Sequence, residues 1–262
     1  MRKLIYLLMI VVLLASCTGN RDKGSQNQEG QLPIGVQDTE LEMSKEGHSG
    51  DLYSPDSTGP QFQSEESFSE VDLADYNRYH GTAEFHYKRG LVLYRIKNFK
   101  EGILEFDTVI NLAPQMTSAY INRGKGRLEI KDYQNAVLDF EKATEIDKMD
   151  STAYLHLGLA HYHLNNMQSC IEANNELLKL SPKNIAGYFN RGTAYGQLKD
   201  YPKAIADFSK AIQIDPNYTE AHFNLGLAYY WTGDKVKACQ SWSKAASLRS
   251  EKAARVLEKY CR

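Results

Sequence analysis

The chain has 262 residues, 31 of them basic and 33 acidic, for a formal net charge of −2, with seven histidines and four cysteines. That length holds one or two domains. So balanced a charge lacks the concentrated basic footprint of a nucleic-acid binder.

The first segment, "MRKLIYLLMIVVLLASC", places two basic residues before an apolar run of about 11 residues, too short to span a bilayer. It reads as a secretory signal over residues 1–16. "LASC", Leu14 to Cys17, resembles the lipobox of bacterial lipoproteins. The resemblance implies cleavage before Cys17, diacylglycerol on its thiol and acylation of the new amino group. Two or more acyl chains anchor stably where one is marginal. Thr18 follows, so the aspartate that retains some lipoproteins at the inner membrane is missing. The implied location is the bacterial cell envelope, at the outer membrane, with the leaflet undecided. Residues 17–80 then read as the lipidated cysteine and a flexible tether. From Thr18 to His80 there are 13 acidic and 4 basic residues with few aliphatics, too little apolar surface to offset the entropy of ordering. The stretch "QFQSEESFSEVDL" could hold a further partner motif.

Beyond the tether a 34-residue period governs the chain. Gly90, Gly124, Gly158, Gly192 and Gly226 fall at that interval. Five mid-helix glycines cost on the order of 5 kcal/mol if nothing compensates, so packing must demand them. Eight residues after each glycine stands Asn98, Asp132, Asn166, Asp200 or Asp234, expected to cap a second helix through its side chain. Twelve after it stands a small residue (Gly102, Ala136, Cys170, Ala204, Ala238), expected to face the glycine so that two backbones approach closely. Sixteen after it comes Phe106, Phe140, Phe208 or Trp242, with Asn174 the exception. Pro202 falls in a first helical turn, where a missing N–H is tolerated. Pro114, Pro182 and Pro216 stop the second helices. Each period is therefore a helix–turn–helix unit.

This pattern resembles the tetratricopeptide repeat, whose period is about 34 residues. Five copies fit, at 83–116, 117–150, 151–184, 185–218 and 219–252. The third departs most, with His161 where Tyr195 and Tyr229 stand in later copies and Asn174 in place of an aromatic. The last residues, 250–262, place Ala253, Val256, Leu257 and Tyr260 on one face and charges on the other, as the polar-backed terminal cap of a solenoid requires. "VDLADYNRYHG" is a candidate counterpart at the front. The expected fold is all-α: a right-handed superhelical solenoid of five such repeats and a capping helix.

If the last repeat helix and the cap run antiparallel about Arg249–Ser250, Cys239 and Cys261 stand at matching heights. An exported protein permits a disulfide there; the alternative is two separate thiols. Cys170 occupies the small packing position and reads as an inert buried thiol. His156, His161 and His163 lack the one-turn spacing of a metal pair, and no further ligand completes a set. No nucleophile motif, phosphate loop or catalytic carboxylate pair is recognisable. No cofactor, metal site or enzymatic activity is expected.

The family resemblance implies that first helices line a concave groove. Its groove positions lie three before, one after and four after each glycine: Tyr87, Leu91, Tyr94; Ile121, Lys125, Leu128; Leu155, Leu159, Tyr162; Phe189, Thr193, Gly196; Phe223, Leu227, Tyr230. Most are apolar, and contiguous exposed apolar surface marks interaction sites; the last of each trio is the one most open to packing between repeats instead. Two residues before the glycine stand Asn122, Asn190 and Asn224, where the resemblance implies hydrogen bonds to the backbone of an extended peptide. The expected function is a non-enzymatic, membrane-anchored scaffold for a protein or peptide partner, an adaptor or assembly factor. A glycan- or small-molecule-binding lipoprotein is the alternative, since aromatics also suit sugar rings.

Overall fold

The computed structural model describes residues 81–261. The signal, Cys17, the acidic tether and all but the last residue of "VDLADYNRYHG" lie outside them. Among the described residues there are eleven α-helices and no strand. In order they are α1 (Ala83–Arg95), α2 (Phe99–Leu112), α3 (Thr117–Glu129), α4 (Tyr133–Ile146), α5 (Ser151–His163), α6 (Met167–Leu180), α7 (Ile185–Gln197), α8 (Tyr201–Ile214), α9 (Thr219–Trp231), α10 (Lys235–Ser247) and α11 (Glu251–Tyr260). Each odd helix up to α9 opens a hairpin that the next even helix closes.

The turn inside each hairpin is made by the main chain. Lys97, Lys131, Asn165, Lys199 and Gly233 adopt left-handed φ values of 60 to 84°. The following residue then donates its N–H five residues back: Asn98 to Leu93, Asp132 to Arg127, Asn166 to His161, Asp200 to Tyr195 and Asp234 to Tyr229, at 2.8–3.0 Å. This is a Schellman closure of the first helix. The same residue begins the second helix, its carbonyl accepting from the small residue four further on, as in Ala136 N–H to Asp132 at 3.0 Å. The expected side-chain capping holds at Asp200 and Asp234, which accept from Lys203 and Lys237 N–H at 3.4 and 3.1 Å. Asn98, Asp132 and Asn166 make no such bond. The main-chain closure already defines the boundary, which frees the side chain; the Asp132 carboxylate instead accepts from Asn135 Nδ2 at 2.8 Å.

The periodic glycines face the bulky residue sixteen positions on, which corrects the expectation that they face the small one. A Cβ at Gly90 would stand 2.8 Å from Phe106 Cζ, one at Gly124 2.7 Å from Phe140, and one at Gly192 2.9 Å from Phe208. At Gly226 it would collide with Trp242, and at Gly158 with the Asn174 amide. In the three phenylalanine repeats it is the outer end or edge of the ring that meets the bare stretch of the first helix. The small residue is the secondary contact: a Cβ at Gly102 would lie 3.3 Å from the Gly90 carbonyl oxygen. Phe106, Phe140, Phe208 and Trp242 are fully buried in consequence.

Helices pack in chain order, each against the next, from α1 to α11. The first helices α3, α5, α7 and α9 also touch one another, while second helices of neighbouring repeats make no comparable contact. First helices therefore line the inner, concave side and second helices fan apart on the outer side. A first helix enclosed in this way needs no polar stripe, which explains why "STAYLHLGLAHYH" and "TEAHFNLGLAYYW" have no distinct polar face. After three second helices, α2, α6 and α8, the short link is tied down by the next hairpin. Tyr120 and Tyr188 hydroxyls donate to the Pro114 and Pro182 carbonyls at 3.1 and 3.2 Å, and His222 Nε2 lies 3.0 Å from that of Pro216.

Neighbouring repeats are also joined by arginines one residue before the glycine. Arg123 pairs with Asp139 of its own repeat at 2.6 Å and with Asp107 of the previous one at 2.6 Å. Arg127 closes on the other Asp139 oxygen at 2.7 Å. Two repeats later Arg191 binds Asp207 and Asn175, each at 2.7 Å. The planar, always-charged guanidinium suits such a two-sided site. Both arginines lie over tyrosine rings, Arg123 on Tyr120 and Arg191 on Tyr188, at 5.7 and 5.6 Å.

The array ends on α11, capped by Ser250, whose hydroxyl accepts from Ala253 N–H at 3.3 Å. Its inner face covers the last hairpin, with the Tyr260 ring 5.3 Å from Tyr230. Cys239 on α10 and Cys261 are disulfide-bonded, with Cα atoms 5.8 Å apart and a separation of 22 positions in sequence. A bridge over that span contributes roughly 3 kcal/mol by loop-closure entropy. Cys239→Ser or Cys261→Ser should lower stability by about that amount and accelerate exchange in α11 and α10 first. Intact mass before and after reduction should differ by two hydrogens; two thiols alkylated without reductant would show that the bridge does not form.

Candidate binding groove

The expected groove residues divide into two sets. Those four after the glycine pack between helices. Tyr94 lies against Phe99 and Phe106 at 5.4 and 5.2 Å, and its hydroxyl donates to the Asn122 carbonyl at 3.0 Å. Burial pushes its phenol pKa well above the usual value. The same ring occupies the space a Cβ would need at Gly126, so this glycine outside the 34-residue period serves that close approach. Tyr162 packs on the Met167, Cys170, Ile171 and Ala194 cluster. Tyr230 meets Trp242 at 5.8 Å and Tyr260 at 5.3 Å. Phe189, from the first position, is also buried, between Phe208 and Tyr218 at 5.8 and 5.1 Å. Ile121, Thr193, Gly196 and Leu227 are buried likewise.

Tyr87, Leu91, Lys125, Leu155, Leu159 and Phe223 stay half-buried along the inner surface. They form an apolar file in repeats one, three and five, broken by Lys125 in repeat two and by repeat four, whose groove positions are buried. The asparagines differ among themselves. Asn122 is half-buried and donates Nδ2 to the Tyr87 hydroxyl at 2.9 Å, a link between repeats one and two. Asn190 is half-buried and Asn224 is 5% exposed. Asn190 is thus the amide best placed to meet a main chain lying in the groove, since it can donate and accept at once.

The third repeat takes His156 at the asparagine position. Its ring is 4% exposed and stacks on Phe140 at 5.5 Å, with neither nitrogen hydrogen-bonded. Burial, aided by the Lys125 charge, lowers its pKa to about 3. An unfolded histidine titrates near about 6.5, so only the unfolded chain gains this proton between the two values. The stabilising contribution is complete above about pH 6.5 and declines as pH falls toward about 3. At pH 5 the loss should be roughly 2 kcal/mol, at 1.36 kcal/mol per pKa unit. Denaturant titrations at pH 7 and 5 measure it, and His156→Phe should remove the difference; an equal decline in that variant would assign the effect elsewhere.

His163 stacks on Tyr133 at 4.6 Å. Cys170 is fully buried, its thiol pKa pushed up to about 12 by burial, with Asn174 Nδ2 3.5 Å from the sulfur. Among the described residues no group of three His, Cys, Asp or Glu side chains could hold a metal ion, and no helix is long and apolar enough to cross a membrane.

Sequence reading missed the arginine layer and the tyrosine-to-proline ties. Both had a signal: Arg123 and Arg191 stand 16 residues before Asp139 and Asp207, and Tyr120 and Tyr188 stand six after Pro114 and Pro182.

Comparison with known proteins agrees with this geometry. Tetratricopeptide-repeat family models match residues 121–185 and 220–251, and a TPR-repeat model matches 194–233. No curated protein matches the sequence. Among solved structures, a crystal structure of MamA is 25% identical, with a TM-score of 0.60, over 63% of this chain and 96% of that one. MamA 41-end from Desulfovibrio magneticus RS-1 is 18% identical, with a TM-score of 0.62, over 64% and 94%. YrrB, described as a TPR protein with an unusual peptide-binding site, is 18% identical, with a TM-score of 0.63, over 72% and 98%. The matched repeats, the helical hairpins and the superposition together identify the array as an all-α, right-handed superhelical tetratricopeptide-repeat solenoid.

Proposed function

We propose that this chain is a non-enzymatic scaffold that holds an extended protein or peptide segment in its concave groove. The carrying observation is the half-buried apolar file from Tyr87 through Leu155 and Leu159 to Phe223, with the Asn190 amide beside it. Repeats one, three and five each leave part of this file open on the inner side, and exposed apolar surface of this kind marks an interaction site. The peptide-binding site named for YrrB, a protein of the same fold, supports the reading. The "LASC" box supports a lipid anchor at Cys17, with the acidic tether giving reach from the membrane of the bacterial envelope. The role that joins these features is an adaptor or assembly factor.

Of the groove residues, Phe223 and Leu155 should carry most of the contact, while Phe189 and Asn224 form the floor. Phe223→Ala should weaken partner binding by roughly thirtyfold, the effect of losing a hot spot worth about 2 kcal/mol. Asn190→Ala should weaken it roughly fivefold, one net hydrogen bond of about 1 kcal/mol. Isothermal titration on variants shown folded by circular dichroism tests both, with the exposed Lys210→Ala as control. Unchanged affinity in Phe223→Ala and Asn190→Ala, with loss in Lys210→Ala, would remove the groove from the account.

A further inference from the structure

Arginine stands one before the glycine in repeats one, two and four (Arg89, Arg123 and Arg191), and leucine in repeats three and five: Leu157 and Leu225. At Arg123 and Arg191 the guanidinium lies over a tyrosine three residues earlier and between two polar partners, sixteen residues before and sixteen after. In repeat three the tyrosine is kept as Tyr154 and the partner sixteen before as the acid Glu141. The cation is gone, and the acid sixteen after is Ala173. A cavity of about 820 Å³ opens there on the outer face, lined by Glu141, Tyr154, Leu157, His161, Glu172 and Ala173 among others.

The charges around it are uneven. The basic groups at its rim are committed, Arg191 to Asp207 and Asn175, and Lys179 to Glu176 at 2.6 Å. No described cation pairs with the Glu141 carboxylate, and Glu172 accepts from the neutral Gln168 amide at 3.0 Å. His161 Nδ1 is buried without a hydrogen-bond partner. As a neutral imidazole nitrogen it can accept one. The corresponding opening at repeat five, about 350 Å³, lacks this set: His222 replaces the tyrosine, Ser209 the acid, and Lys237 and Lys244 stand at its edge.

We propose that the repeat-three cavity receives an arginine side chain from a segment of a partner protein, in the position that Arg123 and Arg191 fill in their own repeats. Its stem would lie on Leu157 and Ala173, its guanidinium plane on Tyr154, and its N–H groups would donate to Glu141 and the His161 nitrogen. The site is separate from the concave groove. An adaptor with both could hold one segment inside and a basic segment outside.

The test is a titration of the full-length mature protein, followed by amide NMR, with the peptide Ac-Leu-Arg-Leu-Gly-amide and its citrulline isostere. The arginine peptide should shift amides at Tyr154, Ala173 and Glu176, and the citrulline peptide should bind roughly tenfold more weakly, as expected for losing a charge-assisted hydrogen bond. Glu141→Gln should reproduce that loss with the arginine peptide. The double variant Leu157→Arg with Ala173→Asp rebuilds the internal pair of repeats two and four, so it should remain folded and bind no peptide. Phe223→Ala, on the other side, should bind it normally, which separates this site from the groove. The proposal is overturned if the arginine peptide produces no saturable shift at the cavity, if citrulline binds equally, or if the folded double variant binds as well as the wild type. Shifts of the same amides that depend on protein concentration alone would assign the cavity to a second copy and overturn it too.

Discussion

Phe140→Ala is expected to destabilise the array by about 4 kcal/mol, within the range for emptying a buried aromatic site. Phe140 is fully buried, lies on Gly124 and stacks with His156 of the next repeat. The hole therefore opens at the junction of two repeats, where a solenoid has only nearest-neighbour contacts to hold it. The partner change is more diagnostic. Gly124→Ala gains about 1 kcal/mol of helix propensity. The new methyl would also stand 2.7 Å from the ring, and overpacking of that kind costs roughly 1–3 kcal/mol. In the wild-type background it should therefore destabilise. In the Phe140→Ala background the ring is gone, and the same change should stabilise. Chemical denaturation of the four proteins of this cycle measures the reversal. Gly124→Ala that is neutral or stabilising with Phe140 present would show that the glycine is not kept for the ring.

Asp139→Ala is expected to cost about 3 kcal/mol, the lower part of the range for breaking a buried ion pair. The carboxylate is 2% exposed between Arg123 and Arg127, which are 16% and 19% exposed and can recover some hydration. The loss should fall mainly on the cations left behind. Arg123→Leu with Asp139→Ala, the combination this chain itself uses at Leu157 and Ala173, should recover at least half of it. Thermal unfolding of the single and double variants decides the point. A double variant as unstable as the sum of both single changes would mean that the two side chains act independently.

Much of this architecture was legible in the residues, because a solenoid repeats its instructions. The hairpins follow from Gly90 to Gly226 recurring with the bulky residue sixteen on, and the pairing of Cys239 with Cys261 from their matching distances on either side of the turn at Arg249–Ser250. The facing of the glycines was misjudged because periodicity tells which positions recur and not which way a side chain leans. Helical side chains point back toward the N-terminus, and the ring sixteen residues on is what covers the bare backbone. The hairpin turns were less legible: a left-handed residue such as Lys131 closes each of them through the main chain, so the side-chain cap is an addition made at Asp200 and Asp234 and not at Asn98, Asp132 and Asn166. The groove was half legible. Its positions lie on first helices, but whether Phe189 or Phe223 stays open depends on what packs over it, here Tyr218 at the end of the same repeat against Phe189. The outer cavity could be found only from the structure, since Leu157 in place of arginine is unremarkable until Arg123 and Arg191 are seen filling the equivalent sites.

On the proposed function, the inner surface holds the partner. Site-specific photo-crosslinking in the native host cell tests this, with a benzophenone side chain placed in turn at Leu155, Leu159 and Phe223 on the inner file and at Leu104, Leu138 and Lys210 on the exposed outer helices. The predicted result is one common adduct from the three inner positions, lost when Asn190→Ala is combined with Phe223→Ala. The same adduct from Leu104, Leu138 or Lys210, with none from the inner file, would contradict the claim.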